Sequence, residues 1–307
     1  MYLVTGSTGF VGCAVVSELR ARGFYVRELT RVLRATNTEN VFHVPAIDGN
    51  TDWEEALQDV EVVIHCAARA HRMNDPEDSF DQYQSVNTDG TLCLANASVA
   101  AGVRRFIYVS TIKVCADSTL PGQPVLPDAP LTPTDWYSQA KADAEVALKK
   151  LADSTALEMV IVRPPLVYGP GAKGNLERLV KIVSMGVPLP LGAINNRRSL
   201  VGLTNLADFL ILASHHARAA GQVFNISDGT TMSTTDILKA LSKALNKKAI
   251  LIPIPASLLA MAGKVTGKSA YVDRLTSNLE VDSSNCFELL DWKPPLSVSE
   301  SIASLVA

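Results

Sequence analysis

The chain has 307 residues, of which 47% are hydrophobic and 19% charged, the composition of a globular protein with one large domain or a domain and a smaller lobe. Its formal charge of -3 gives no electrostatic ground for nucleic acid or an anionic membrane as the main partner. Five cysteines, Cys13, Cys66, Cys93, Cys115 and Cys286, form no CxxC pair and show no metal-type His spacing, so reduced, mostly buried thiols and no metal are expected.

Tyr2-Leu3-Val4 already reads as a strand and Gly6 follows at once, which leaves no room for a signal peptide. A helix follows from about Phe10 to Arg22, then strand-like FYVREL and VFHVPAI, and a short helix over Trp53 to Leu57. VEVVIHCAA is the next strand, with a long helix around Val86 to Ala101 and the buried strand RRFIYVS after it. The segment from Trp136 to Leu151 is helical, and MVIVRPP is a strand that its prolines end. Strands alternating with helices predict an α/β fold, a doubly wound parallel sheet whose ligands bind beyond the strands' carboxyl ends. After Pro165, proline-rich runs and shorter helices suggest a smaller C-terminal lobe, and QVFNIS (Gln222 to Ser227) a return to the sheet. The expected division is 1–165 with a return at about 200–230, against a discontinuous lobe of 166–199 and 231–307. The longest apolar run, Leu251 to Gly263, carries two prolines and is too short to span a bilayer. A cytoplasmic chain without an integral membrane segment is expected, with an interfacial contact by that run left open.

TGSTGFVG places Gly6, Gly9 and Gly12 between a strand and a helix, where they permit a tight turn, approach of a pyrophosphate and close helix packing. A dinucleotide, NADP or NAD, is the expected cofactor. The next strand should end near the adenosine ribose, where an acid favours NAD and an arginine a 2′-phosphate. Here Thr30, Arg31 and Arg34 follow VREL, and Glu28 is the competing carboxylate. Alternation turns Glu28 away from the face of Leu29, so Arg31 with Arg34 in support reads as a phosphate clamp and tips the expectation toward NADP.

YSQAK sets Tyr137 and Lys141 four residues apart, on one helix face. A phenol moves protons near neutral pH only if its pKa falls, and a nearby ammonium lowers it. FIYVS ends in Ser110 and Thr111, hydroxyls at a strand's carboxyl end. These pieces describe a hydride-transfer site in which Thr111 orients a substrate oxygen, Tyr137 moves its proton and Lys141 tunes Tyr137.

With TGSTGFVG, VIHCAA, VNTDGT, YVSTIKV, YSQAK, VRPPLVYGPG, NNRRSLVGLTNLADF and ELLDWKPP in order, the chain resembles the extended short-chain dehydrogenase/reductases, in particular the nucleotide-sugar epimerase/dehydratase group. PPLVYGPG and LPLGAINNRRSLV look most like bacterial UDP-N-acetylhexosamine 4-epimerases and 4-keto-sugar reductases of polysaccharide synthesis. The resemblance implies a Rossmann fold, a UDP-sugar substrate and a homodimer formed by a pair of long helices per subunit. It implies cofactor contacts from Gly6, Thr8, Gly9, Phe10, Val11, Gly12, Ile47, Ala67, Ala68, Asn87, Tyr137, Lys141 and Pro164. It places Ser110 and Thr111 beside the sugar, and Asn175, Arg198 and Arg274 on the substrate phosphates. Asn87 as a helix cap and Arg197 with Arg198 as solvated loop residues are the plainer readings.

Three departures stand out. Ala46 occupies a place where an Asp often meets adenine, unless Asp48 takes that role; Leu166 replaces a sugar-contacting Asn; and Cys115, preceded by Lys113, replaces a Tyr. Ile112 and Lys113 after Thr111 also argue against a 4,6-dehydratase, which would carry an Asp-Glu pair there. Epimerase and 4-keto reductase need the same triad, and the basic strand end favours a reductase that exchanges NADPH. A non-catalytic NADP sensor or a reductase of small apolar carbonyls would have less use for the triad or for the phosphate-binding residues.

Overall fold

The computed structural model describes residues 1–31, 40–70, 79–172 and 175–306. In chain order the first half runs β1 (Tyr2–Thr5), α1 (Phe10–Ala21), β2 (Val26–Thr30), β3 (Val41–His43), α2 (Glu54–Leu57), β4 (Val62–His65) and α3 (Phe80–Tyr83). A π-helical turn (Gln84–Asp89) then leads into α4 (Gly90–Ala100), β5 (Arg105–Val109), α5 (Trp136–Asp153) and β6 (Glu158–Arg163). The second half adds β7 (Leu166–Tyr168), α6 (Asn175–Ser184), β8 (Arg198–Gly202), α7 (Leu203–His215), β9 (Val223–Asn225) and β10 (Thr231–Met232). Helices α8 (Thr234–Ala244), α9 (Ala256–Val265), α10 (Ser269–Thr276), α11 (Ser284–Leu290) and α12 (Val298–Ala303) complete it.

Seven parallel strands form the main sheet in the order β3-β2-β1-β4-β5-β6-β9. The order reverses between β1 and β4, and that switch point opens the crevice in which doubly wound sheets bind ligands. Both faces are covered, which explains why VVIH and RFIYV are buried throughout. One apolar core lies between the sheet and α1 and α7, around Val15, Leu19, Leu206 and Phe209. The other lies under α2, α4 and α5, around Trp53, Leu94 and Leu148. Two ion pairs lock the strands to their surroundings: the fully buried Arg163 holds Glu145 of α5 at 2.6 Å, and the buried Arg105 holds the partly exposed Glu158 at 2.6 Å.

A separate three-stranded sheet, β10-β8-β7, belongs to the C-terminal half, whose own core gathers Leu179, Val183, Leu189, Leu238 and Leu241. The QVFNIS return to the main sheet is real, with β9 pairing parallel to β6 at its edge. Among the described residues no helix is long and apolar enough to cross a membrane.

Local readings need correction. The helix expected around Val86 to Ala101 begins at Phe80 and passes through the π turn, because Asn87 and Thr88 spend their side chains on different partners. Thr88 Oγ1 donates to Ala140 O of α5 at 2.8 Å, while Asn87 faces the loop after β4. The extra residue of a π turn lets neighbours aim at both. The strand expected over VFHVPAI stops at His43, and FYVREL contributes only from Val26. Of the five free cysteines Cys115 and Cys286 are buried, Cys66 and Cys93 are partly buried, and Cys13 is exposed on α1.

Candidate active site

The first βα turn is shaped by its glycines. Gly6 has φ +66, and a Cβ there would meet Ala67 N at 2.8 Å; a Cβ on Gly12 would lie 2.2 Å from Gly6 O. Helix α1 then starts at Gly9 with no side-chain cap and no acid in its first turn. Its first amide N–H groups, around Phe10 and Val11 with exposed Thr8 before them, are left for an anion, so the turn fits a dinucleotide pyrophosphate. Ser7 turns inward and donates to Leu29 O at 2.8 Å.

At the end of β2 the competing carboxylate is committed elsewhere. Glu28 pairs with Arg20 of α1 at 2.7 Å, Leu29 and Thr30 are buried, and Arg31 is exposed. Arg34 lies outside the described residues. Asp48 Oδ1 accepts from Asn50 N and Thr51 Oγ1 and so closes its own turn, while Ile47 packs against Gly90.

The end of β4 holds a buried relay absent from the sequence reading. Thr91 Oγ1 donates to Asn87 O at 2.7 Å, so it accepts from Nε2–H of His65 at 2.9 Å. Nδ1 of His65 therefore accepts from Thr5 Oγ1 at 2.7 Å, and Thr5 in turn accepts from Ala67 N at 3.2 Å. Burial, and then the charge of Lys141, lower the His65 pKa to about 3 and keep the ring neutral. Asn87 closes the relay: it accepts from Arg69 N at 2.7 Å and donates to Arg69 O at 3.1 Å. In this geometry Asn87 shapes the Ala67-Ala68-Arg69 backbone beside the glycine turn and caps no helix. The signal was visible as a histidine inside an apolar strand, but its partners were not.

Tyr137 and Lys141 occupy the first two turns of α5, capped by Asp135, whose side chain accepts from Ser138 N at 2.7 Å in a capping box. Two links bracket Tyr137 and fasten it to the end of β5. Before it, Asp135 forms an ion pair with Lys113; after it, Lys141 Nζ donates to Val109 O at 2.9 Å. Val109 and Lys113 flank Ser110 and Thr111, so the hydroxyl pair and the phenol helix are drawn together from both sides. Thr111 Oγ1 accepts from Lys113 N at 3.3 Å, and the buried hydroxyl of Ser110 has no partner among the described residues. Pro164 closes the floor, its carbonyl accepting from Ile112 N at 3.0 Å.

The electrostatics correct the expectation for Tyr137. Burial, reinforced by the charge of Asp135, pushes its phenol up to about 12. Burial also brings Lys141 down to about 8, partly opposed by Cys66 and Glu145. The Lys141 ammonium sits 4.5 Å over the Tyr108 ring and donates to a carbonyl, so its charge is spent on β5. Cys66, whose thiol burial raises to about 12 against the pull of Lys141, is a further neighbour.

In the C-terminal half, Arg198 and Arg274 do meet. Arg198 of β8 donates to Arg274 O at 3.0 Å and to Ser277 O at 3.2 Å, while Arg197 pairs with Glu280 at 2.7 Å. No ion pair among the described residues involves Arg198, and burial alone lowers its pKa. A desolvated guanidinium without a carboxylate fits an anionic ligand. Asn175 opens α6, and its side chain lies outside the described residues. Leu166 at the start of β7 is exposed, an apolar group where the resemblance would place an amide.

A glycine turn with a free helix end at the switch point, on a sheet that also carries strand-end hydroxyls and a Tyr-Lys helix, is the arrangement of a dinucleotide-dependent enzyme of the short-chain dehydrogenase/reductase type. Residues 2–227 match the model of the NAD dependent epimerase/dehydratase family, and the chain belongs to that family of NAD-dependent enzymes. A UDP-glucose 4-epimerase of Vibrio cholerae is 43% identical over 97% of this chain and 92% of its own length. An Escherichia coli O157:H7 relative that epimerises C4 of an N-acetylglucosaminyl-diphospho-undecaprenol is 25% identical over 88% of this chain and 82% of its own length. The UDP-glucuronic acid 4-epimerase of Bacillus cereus in complex with NAD superposes with a TM-score of 0.77 over 99% of this chain and 94% of its own, at 23% identity. The Thermotoga maritima UDP-glucose 4-epimerase with UDP-glucose gives 0.76 over 99% and 97%, at 22% identity. These two likenesses establish the fold.

Proposed function

We propose that this chain reduces the 4-keto group of a UDP-linked hexose, of the N-acetylated 6-deoxy kind, with exchangeable NADPH. The carrying observation is the pair of links, Asp135–Lys113 and Lys141–Val109, that tie the helix turns on either side of Tyr137 to the segment carrying Ser110 and Thr111. In this reading 1–165 with a return at about 200–230 binds the cofactor, and 166–199 with 231–307 binds the sugar nucleotide. Gly6, Gly9 and Gly12 with the start of α1 hold the pyrophosphate, and Ala67, Ala68, Ile47 and Pro164 border the cofactor. A bound nicotinamide supplies the hydride donor or acceptor, and in its oxidised form a positive charge. Ser110 and Thr111 orient O4, Tyr137 delivers its proton, and Lys141 holds the helix and the cofactor ribose. Arg198 and Arg274 bind the diphosphate, with Asn175 assigned there from the resemblance alone. NADPH is favoured because Glu28 is tied to Arg20 and the exposed cation at the strand end is Arg31. Pairing of two subunits through α4 and α5, on which Val146 is exposed, and a cytoplasmic setting belong to the same reading.

A second reading, 4-epimerisation with retained NAD, is favoured by the Vibrio cholerae relative. The test separates them: release and identify the dinucleotide of the purified protein, then offer UDP-GlcNAc and a UDP-4-keto-6-deoxy-HexNAc. NADPH consumption with the keto sugar supports the reductase. Epimer formation without added cofactor supports the epimerase, and turnover of neither sinks both.

A further inference from the structure

We propose that α9 with Lys264 and Lys268 forms a docking surface for an anionic lipid bilayer. The helix reads ASLLAMAGKV and is apolar on two sides. One side is spoken for: Leu259 joins the core of the C-terminal half, and Gly263 is buried so close to α10 that a Cβ would meet Val272 Cγ2 at 2.9 Å. The other side faces out. Leu258, Met261 and Val265, spaced i, i+3 and i+7, are 50%, 60% and 83% exposed. A surface helix normally shows solvent a polar face; an apolar stripe there marks an interaction surface.

Charge selects the occupant. Between residues 243 and 278 the chain carries Lys243, Lys247, Lys248, Lys264, Lys268 and Arg274 against Asp273 alone, six cations to one acid, a net +5 in a chain of net -3. The five lysines are exposed and make no ion pair among the described residues. A second copy docking isologously through this face would bring the cations of Lys264 and Lys268 together with their own copies and is disfavoured. Exposed aliphatic side chains with Lys264 on the same helix and Lys268 just past its end suit the interface of a bilayer containing anionic lipid, where each lysine near the surface contributes about 1 kcal/mol. On its covered side α9 packs against α10, which carries Arg274, so a docked enzyme would hold its proposed diphosphate site one helix away from the membrane. That last point rests on the proposed function; the docking itself does not.

The test is co-sedimentation of the full chain with phosphatidylcholine vesicles, with and without phosphatidylglycerol. Binding is expected only with the anionic lipid, weaker at high salt. Lys264→Ala with Lys268→Ala should weaken it roughly thirtyfold, from about 1 kcal/mol per lysine, and Met261→Glu with Val265→Glu should abolish it. Turnover of a soluble UDP-sugar should be unchanged in both variants, which separates failure of docking from failure of the proposed reaction. If the glutamate pair unfolds, Val265→Ser at the most exposed position makes the same comparison. Absence of wild-type binding, or equal binding by the apolar variants, overturns the proposal. So does a stripe variant of half the wild-type mass in solution, which would assign the face to a second copy.

Discussion

Tyr137 shows how far one residue's chemistry depends on neighbours. Spacing with Lys141 identified it, but its pKa is set by burial and by Asp135, two positions earlier and itself neutralised by Lys113. For Asp135, burial works upward, and the bonds from Lys113 and Ser138 more than offset it, holding the carboxyl below its ordinary value. Tyr137→Phe should lower kcat by roughly 10²–10⁴-fold, the usual worth of a positioned acid-base, with cofactor affinity nearly unchanged. Retained turnover would remove Tyr137 from the reaction. Asp135→Asn keeps a good helix cap and deletes the charge that disfavours phenolate. In the oxidation direction, where Tyr137 acts as base, the alkaline rise of kcat should move to lower pH; an unmoved profile would mean Asp135 acts only as a cap.

At the scale of elements, alternation of strands and helices made the sheet legible, and the predicted α1 and α5 match within two residues. What alternation could not supply was partners. Asn87 was recognisable as a special residue, yet that it clamps Arg69 depends on the π turn, a local irregularity with no periodic signature. Lys141 reaches Val109 O because β5 lies beneath α5, a fact of packing that helix spacing does not contain. The His65 relay has a measurable cost in acid. Its folded pKa of about 3 lies below the ordinary value of 6.5, so its contribution is present above about pH 6.5 and lost as pH falls toward 3, where the unfolded chain binds the extra proton. His65→Gln should flatten the fall of unfolding free energy across that window in denaturant titrations, and a slope equal to wild type would deny His65 that role.

For the whole molecule, the proposed reading divides the labour: the seven-stranded sheet carries the glycine turn, Thr111, Tyr137 and Lys141 for the cofactor and the reaction, and the second half carries Arg198 and Arg274 for the substrate. Arg198→Ala should raise the KM for a UDP-sugar roughly 10- to 100-fold, the loss of charged hydrogen bonds worth about 1.5–3 kcal/mol, with little change in cofactor affinity. An unaltered KM would leave the diphosphate to other residues. The overall charge of -3 concealed the cationic stretch of the C-terminal half, because a sum over the chain averages away a local excess.

The relay from Ala67 through Thr5, His65, Thr91 and Asn87 to Arg69 joins segments more than sixty residues apart in the chain, with its hydrogens in one sense from Ala67 to the Asn87 carbonyl and a two-way pair between the Asn87 side chain and Arg69 at its end. Such a circuit is a latch: opening at one link orphans the buried donors and acceptors beside it. The glycine turn and the loop after β4 are therefore expected to grip or let go of a dinucleotide together. Residence time, more than equilibrium affinity, is the property in which a broken latch should first be felt.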